Sequence, residues 1–111
     1  MELTGRLEGD VLVIALREDN LDASNVQAFR DTVHSLVQNH TRVALDMAGV
    51  KFVDSSGLGA LISCLRQLNA RQGDFRLCNL SITVRALFEL MRMHRVFNIQ
   101  PTREEAVLSY L

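Results

Sequence analysis

Apolar residues in this chain fall into short blocks whose spacing alternates between the periods of strands and helices. Leu3 to Leu7 and Val11 to Leu16 are extended runs separated by Glu8-Gly9-Asp10, and the Gly-Asp pair supplies the turn chemistry of a hairpin. The second run, Val11-Leu12-Val13-Ile14-Ala15-Leu16, is apolar without a break, as in a strand buried on both faces. After a polar connection through Asp22, Val26, Phe29, Val33, Leu36 and Val37 recur on one helical face, and Ser24 with Gln27 fits a capping box at its start. Arg42-Val43-Ala44-Leu45-Asp46-Met47 reads as a third strand, which Gly49 breaks before Lys51-Phe52-Val53. A second helix carries Leu58, Leu61, Ile62, Leu65 and Leu68 and ends near Arg71-Gln72-Gly73, with Gly73 as its C-cap. Phe75 to Cys78 alternates like a strand, Val84, Leu87, Phe88 and Met91 mark a third helix, and Val96-Phe97-Asn98-Ile99 a last short strand. Pro101 then precedes Thr102-Arg103-Glu104-Glu105, a capping box for a closing helix through Leu108.

The order is ββαβαβαβα, which predicts an α/β fold with helices covering a mixed sheet. At 111 residues the chain makes one domain, residues 1–111, and its 48% apolar content argues against disorder. The net charge of −1, with no long basic run, gives no broad attraction to nucleic acid or anionic lipid, so no direct nucleic-acid contact is expected. No apolar stretch approaches the roughly 20 residues of a membrane span, and Met1 to Arg6 lacks the pattern of a signal peptide. Cys64 and Cys78 sit in apolar contexts without C-x-x-C spacing and read as reduced small hydrophobes, which predicts a cytoplasmic location.

Candidate chemistry concentrates in Val53-Asp54-Ser55-Ser56-Gly57-Leu58-Gly59-Ala60-Leu61, where a strand ending turns into a helix. The free N–H groups and partial positive charge of a helix start would suit a phosphate on Ser55 or Ser56. The bland alternative is that one serine is a cap, worth about 1 kcal/mol. A cap needs one side chain, however, and Asp54-Ser55-Ser56 offers three. A serine nucleophile of the G-x-S-x-G type fails, because Val53 and Asp54 occupy the positions where glycine is required. Gly57-Leu58-Gly59 mimics a dinucleotide loop, but Ile62 replaces the third glycine and Asp54 would repel a pyrophosphate; no P-loop lysine follows. His34, His40 and His94 show no ligand spacing, so no metal or cofactor is expected, and Arg92, His94 and Arg95 read as a basic helix end. Asp22 near Ser24 is a candidate cap; if the Val11–Leu16 strand lay beside the strand ending at Val53, Asp22 and Asp54 would flank Ser55.

On these residues the chain resembles the STAS family, specifically the bacterial anti-sigma factor antagonists. The resemblance spans essentially the whole chain and is most specific in Phe52-Val53-Asp54-Ser55-Ser56-Gly57-Leu58-Gly59. Leu21-Asp22, Val84-Arg85-Ala86-Leu87-Phe88 and Val96-Phe97-Asn98-Ile99 match more loosely. It implies a STAS-type fold with Ser55 as phosphoacceptor and Asp54 and Asp22 as acids for partner recognition or phosphorylation. Ser56 and Gly57 complete the partner-binding turn, and mapping must decide between Ser55 and Ser56 as acceptor. The implied partners are a serine-kinase anti-sigma factor and a PP2C-type phosphatase, which hold the catalyst, nucleotide and metal; this chain would be substrate rather than enzyme. A non-phosphorylated STAS subunit of a lipid-transport or stressosome-type complex is the alternative. Asp19-Asn20 stand where the family often has glycine, and Ser81-Ile82-Thr83 lack its usual proline.

Overall fold

A computed structural model describes all 111 residues. Its strands are β1 (Leu3–Glu8), β2 (Val11–Leu16), β3 (Asn20–Leu21), β4 (Arg42–Asp46), β5 (Phe52–Val53), β6 (Asp74–Cys78) and β7 (Ile99–Gln100). The α-helices are α1 (Val26–Leu36), α2 (Ser55–Asn69), α3 (Ile82–Leu90) and α4 (Arg103–Leu108). The hairpin forms as its sequence predicts, with Glu8 opposite Val11 and Gly9 at φ 62°, the left-handed value that two-residue hairpin turns require.

Five strands make the main sheet in the order β1-β2-β4-β6-β7; β1 is antiparallel and the rest are parallel. Within it the predicted ββαβαβαβα order holds. From β2 onward every crossover steps the same way across the sheet. Because such crossovers are right-handed, α1, α2 and α3 all land on one face. There Phe29, Leu61 and Phe88 pack with Ile14, Leu45 and Leu77 in one buried cluster. The opposite face is left to α4, whose Ala106 packs on Val11, Val13, Ala44 and Cys78. Hence β2 is buried on both sides, as its unbroken apolar run predicts.

Several local expectations need correction. Besides the main sheet, β3 and β5 form a parallel two-residue pair of their own, too short to show any periodicity. Ser24 does not cap α1: Asn25 holds the N-cap position, and the Ser24 hydroxyl is bound to Asp22. At the end of α2 the left-handed residue is Gln72 (φ 60°), not Gly73. Gly73 N–H instead closes the turn on Leu68 O at 2.8 Å, and a Cβ there would lie 2.3 Å from Thr41 O. The last strand is Ile99–Gln100 rather than Val96–Ile99. Phe97 belongs to the turn after a 3₁₀ segment at Met93–Arg95 and packs near Phe88.

Candidate functional site

The β3–β5 pair builds the site. Leu21 lies opposite Val53, so the two chain segments leave in parallel and Asp22 and Asp54 emerge side by side. This is the juxtaposition considered from sequence, reached differently: the neighbour of β2 is β4, and β3 supplies the contact with β5. Asp54 N–H donates to Leu21 O at 3.2 Å.

Asp54 is the N-cap of α2. Its Oδ1 accepts from Gly57 N–H at 2.9 Å, while Oδ2 accepts from Ala23 N–H at 3.2 Å. One carboxylate thus closes the helix and holds the loop after β3 against it. Asp22 organises that loop from within. Its Oδ1 accepts from Ser24 N–H at 2.9 Å and from the Ser24 hydroxyl, and its Oδ2 accepts from the Asn20 amide at 2.7 Å. The hydrogen bonds from Ser24, with a smaller contribution from Asn20, hold the Asp22 carboxyl below its ordinary value. Asn25, which sequence reasoning did not single out, completes the lattice. Its side chain accepts from Asp22 N–H at 3.0 Å and donates to Asn20 O at 2.7 Å. An asparagine immediately before a helical repeat was the available signal.

Gly57 is buried where β3 crosses α2: a Cβ there would stand 2.2 Å from Leu21 O. Its absence of side chain is what lets the two acidic segments approach. Ser55, the first residue of α2, is exposed, and Ser56 is half-buried. With Asp54 as cap, the Ser55 hydroxyl is not consumed in closing the helix. Phe52 is exposed just before the turn, and so is Ile82 at the start of α3, which packs beside β5. The sequence does not single out the exposure of these two apolar residues, because an apolar residue at the edge of a strand or helix reads as core until the fold shows which side it faces.

Other titratable groups are placed elsewhere. An open cleft of about 370 Å³ lies at the carboxyl ends of β2 and β4, lined by Arg17, Glu18, Asp19 and Asp46 rather than by the serines. His34 sits with Gln67 and Arg71 at the far end of α2 from Ser55. Cys64 and Cys78 are buried and unpaired, and burial pushes their thiols up to about 11 and about 12.

Together these elements define a class: a small α/β domain that presents an exposed serine at a helix start, fixed by a pair of acids on adjoining strand ends. The model of the STAS domain matches residues 5–106, and the chain belongs to that family. It is similar to a candidate anti-sigma factor antagonist of Bordetella bronchiseptica, BtrV, at 26% identity over 102 residues, covering 91% of this chain and 88% of that one. Among solved structures it is similar to an anti-sigma-factor antagonist (STAS) domain protein of Planctomyces limnophilus, with TM-score 0.87 and 24% identity over 98% of this chain and 97% of the other. The Bacillus cell fate determinant SpoIIAA in its phosphorylated form gives TM-score 0.70 and 25% identity, covering 99% of this chain and all of that one (100%). The relatives thus point to the general role of an anti-sigma factor antagonist. No helix of the chain is long and apolar enough to cross a membrane.

Proposed function

We propose that this protein is an anti-sigma factor antagonist switched by phosphorylation of Ser55. Unphosphorylated, it binds a serine-kinase anti-sigma factor and frees the sigma factor or another output. The kinase phosphorylates Ser55 with ATP, the complex separates, and a PP2C-type phosphatase resets it. The chain acts in the cytoplasm as substrate and binding partner, and the catalyst, nucleotide and metal stay with its partners. The observation that carries this reading is the exposed Ser55 hydroxyl, left free because Asp54 performs the capping.

In this reading Asp22, Asp54 and Ser56 form the recognition surface around the acceptor, and Gly57 lets β3 approach closely enough to assemble it. Exposed Phe52 and Ile82 add apolar area at its rim. Phosphoserine brings about −1.5 to −2 charges near neutral pH. At ~6 Å from one partner carboxylate and an effective dielectric of ~30, the repulsion is roughly 3 kcal/mol before salt screening. That corresponds to about a hundredfold loss of affinity. Within the chain, the start of α2 offsets the added charge by up to about 1–2 kcal/mol. The fold therefore tolerates a group that the interface does not.

The test is a quantitative capture from source-cell lysate with wild-type, Ser55→Ala and Ser55→Asp baits, with phosphate mapped by fragmentation mass spectrometry. A kinase-type partner retained by Ser55→Ala and lost by a folded Ser55→Asp is expected. Phosphate mapped to Ser56 would move the acceptor by one residue. Equal recovery of the same partners by all three baits would replace the switch with the role of a non-phosphorylated structural subunit.

A further inference from the structure

Arg30 is an exposed cation on α1 that folding leaves without a carboxylate. The positions three and four residues away on its helix are Val26, Gln27, Val33 and His34, and its guanidinium takes part in none of the chain's ion pairs. It reaches across to α2 instead: Nη2 lies 4.0 Å from where a Cβ on Gly59 would stand. Gly59 is one helical turn beyond Ser55, and residues four apart on a helix have Cβ positions about 6 Å apart on one face. The Cβ of Ser55 is therefore within about 10 Å of that nitrogen. A phosphoryl group extends three bonds beyond the Cβ, and the long arginine stem swings without giving up another partner. Position 59 has no side chain to stand between them. A guanidinium fork, moreover, matches phosphate oxygens two at a time.

We propose that Arg30 is the internal receptor of the phosphoryl group on Ser55: once Ser55 is phosphorylated, the guanidinium turns from Gly59 onto the phosphate oxygens and ties the first turn of α2 to α1. The inference rests on Ser55 being the acceptor in the switch proposed above. It adds that the phosphate is held in one direction by the protein itself rather than projecting free into solvent. Phosphorylation then remodels the recognition surface as well as charging it.

The experiment installs phosphoserine at position 55 during translation, in wild-type, Arg30→Gln and Arg30→Lys chains, and follows the phosphate by ³¹P NMR through its second ionisation near pH 6. The neighbouring Asp54 and Asp22 carboxylates and the start of α2 are common to all three and cancel in the comparison. The wild-type phosphate is expected to titrate about half a pH unit or more below Arg30→Gln, with Arg30→Lys between them. In the wild-type chain alone, the Arg30 Nε–H resonance is expected to move on phosphorylation, a readout that survives even if a variant fails to fold. Matching titrations in wild type and Arg30→Gln, or an unmoved Arg30 resonance, would overturn the proposal. Because the phosphate is placed synthetically, neither result depends on a cellular kinase; failure of the switch itself appears only in the partner capture.

Discussion

At the scale of single residues, two glycines two positions apart on the same helix, and so on nearly opposite faces of it, do different work. A Cβ on Gly57 would meet Leu21 O at 2.2 Å, and a backbone oxygen held in the β3–β5 pair cannot step aside as a side-chain tip can. A Cβ on Gly59 meets only Arg30 Nη2, at 4.0 Å, an ordinary contact. Gly57→Ala is therefore expected to cost about 2 kcal/mol even after the helix-propensity gain, while Gly59→Ala leaves stability unchanged or raises it by up to about 1 kcal/mol. Urea unfolding of the two variants checks this, and equal midpoints would refute the steric reading. From sequence the two glycines look alike, because Leu21 reaches Gly57 only through the fold. The choice among Asp54, Ser55 and Ser56 as cap was equally illegible: Asp54 also serves Ala23 N–H, a donor from a distant segment. What the sequence did carry was the surplus itself, three capping groups where one suffices.

At the scale of elements, periodicity located every helix and the long strands, and it failed where a short segment takes its structure from contacts. Phe52-Val53 is legible as a strand ending, but two-residue β3 is too short for an alternation to register, and its pairing with β5 cannot be read from the sequence. Val96 and Phe97 read as strand because they are apolar, but Phe97 is buried as part of a turn, its ring centroid 6.3 Å from that of Phe88. The end of α2 shows the same override. Gly73 N–H bonds to Leu68 O and Gln72 N–H to Asn69 O, a Schellman arrangement whose left-handed position is Gln72. Glycine is needed one residue later, where Thr41 O allows no Cβ, so the usual residue for the left-handed site is displaced from it. Gln72→Gly is accordingly expected to stabilise the chain by about 0.5–1 kcal/mol, since an L side chain at positive φ is strained. The melting temperature should rise by about 2–4 °C. A drop instead would mean that the Gln72 side chain contributes a contact beyond its backbone conformation.

At the scale of the whole molecule, Ser55 at the start of α2 and the C-terminal lock occupy opposite ends of the sheet. With 15 residues at about 1.5 Å rise each, α2 spans about 22 Å from Ser55 toward the start of β4, where Gly73 meets Thr41. There Tyr110 closes the end of the chain onto the sheet. Its hydroxyl accepts from Val43 N–H at 3.2 Å and lies 2.7 Å from Val43 O and 2.8 Å from Asp74 O, either of which can take its proton. Burial, reinforced by nearby Asp74, holds the phenol protonated well above its usual range, so it remains a donor at any physiological pH. Its ring lies 3.9 Å from the Arg76 guanidinium, which in turn pairs with Asp74 at 2.9 Å. Tyr110→Phe keeps the ring and its stacking but strips the hydroxyl from partly buried backbone groups, so a loss of about 1–3 kcal/mol is expected. Partner capture below the new melting temperature should nevertheless match wild type, and Ser55→Asp should still release the partner in the Tyr110→Phe background. A weakened capture with the fold intact would show that the two ends are coupled through α2. Independent behaviour would follow from the topology. Crossovers that all step one way gather three helices and the Asp54–Ser55 turn on one face, and α4 fastens the other face, away from Ser55.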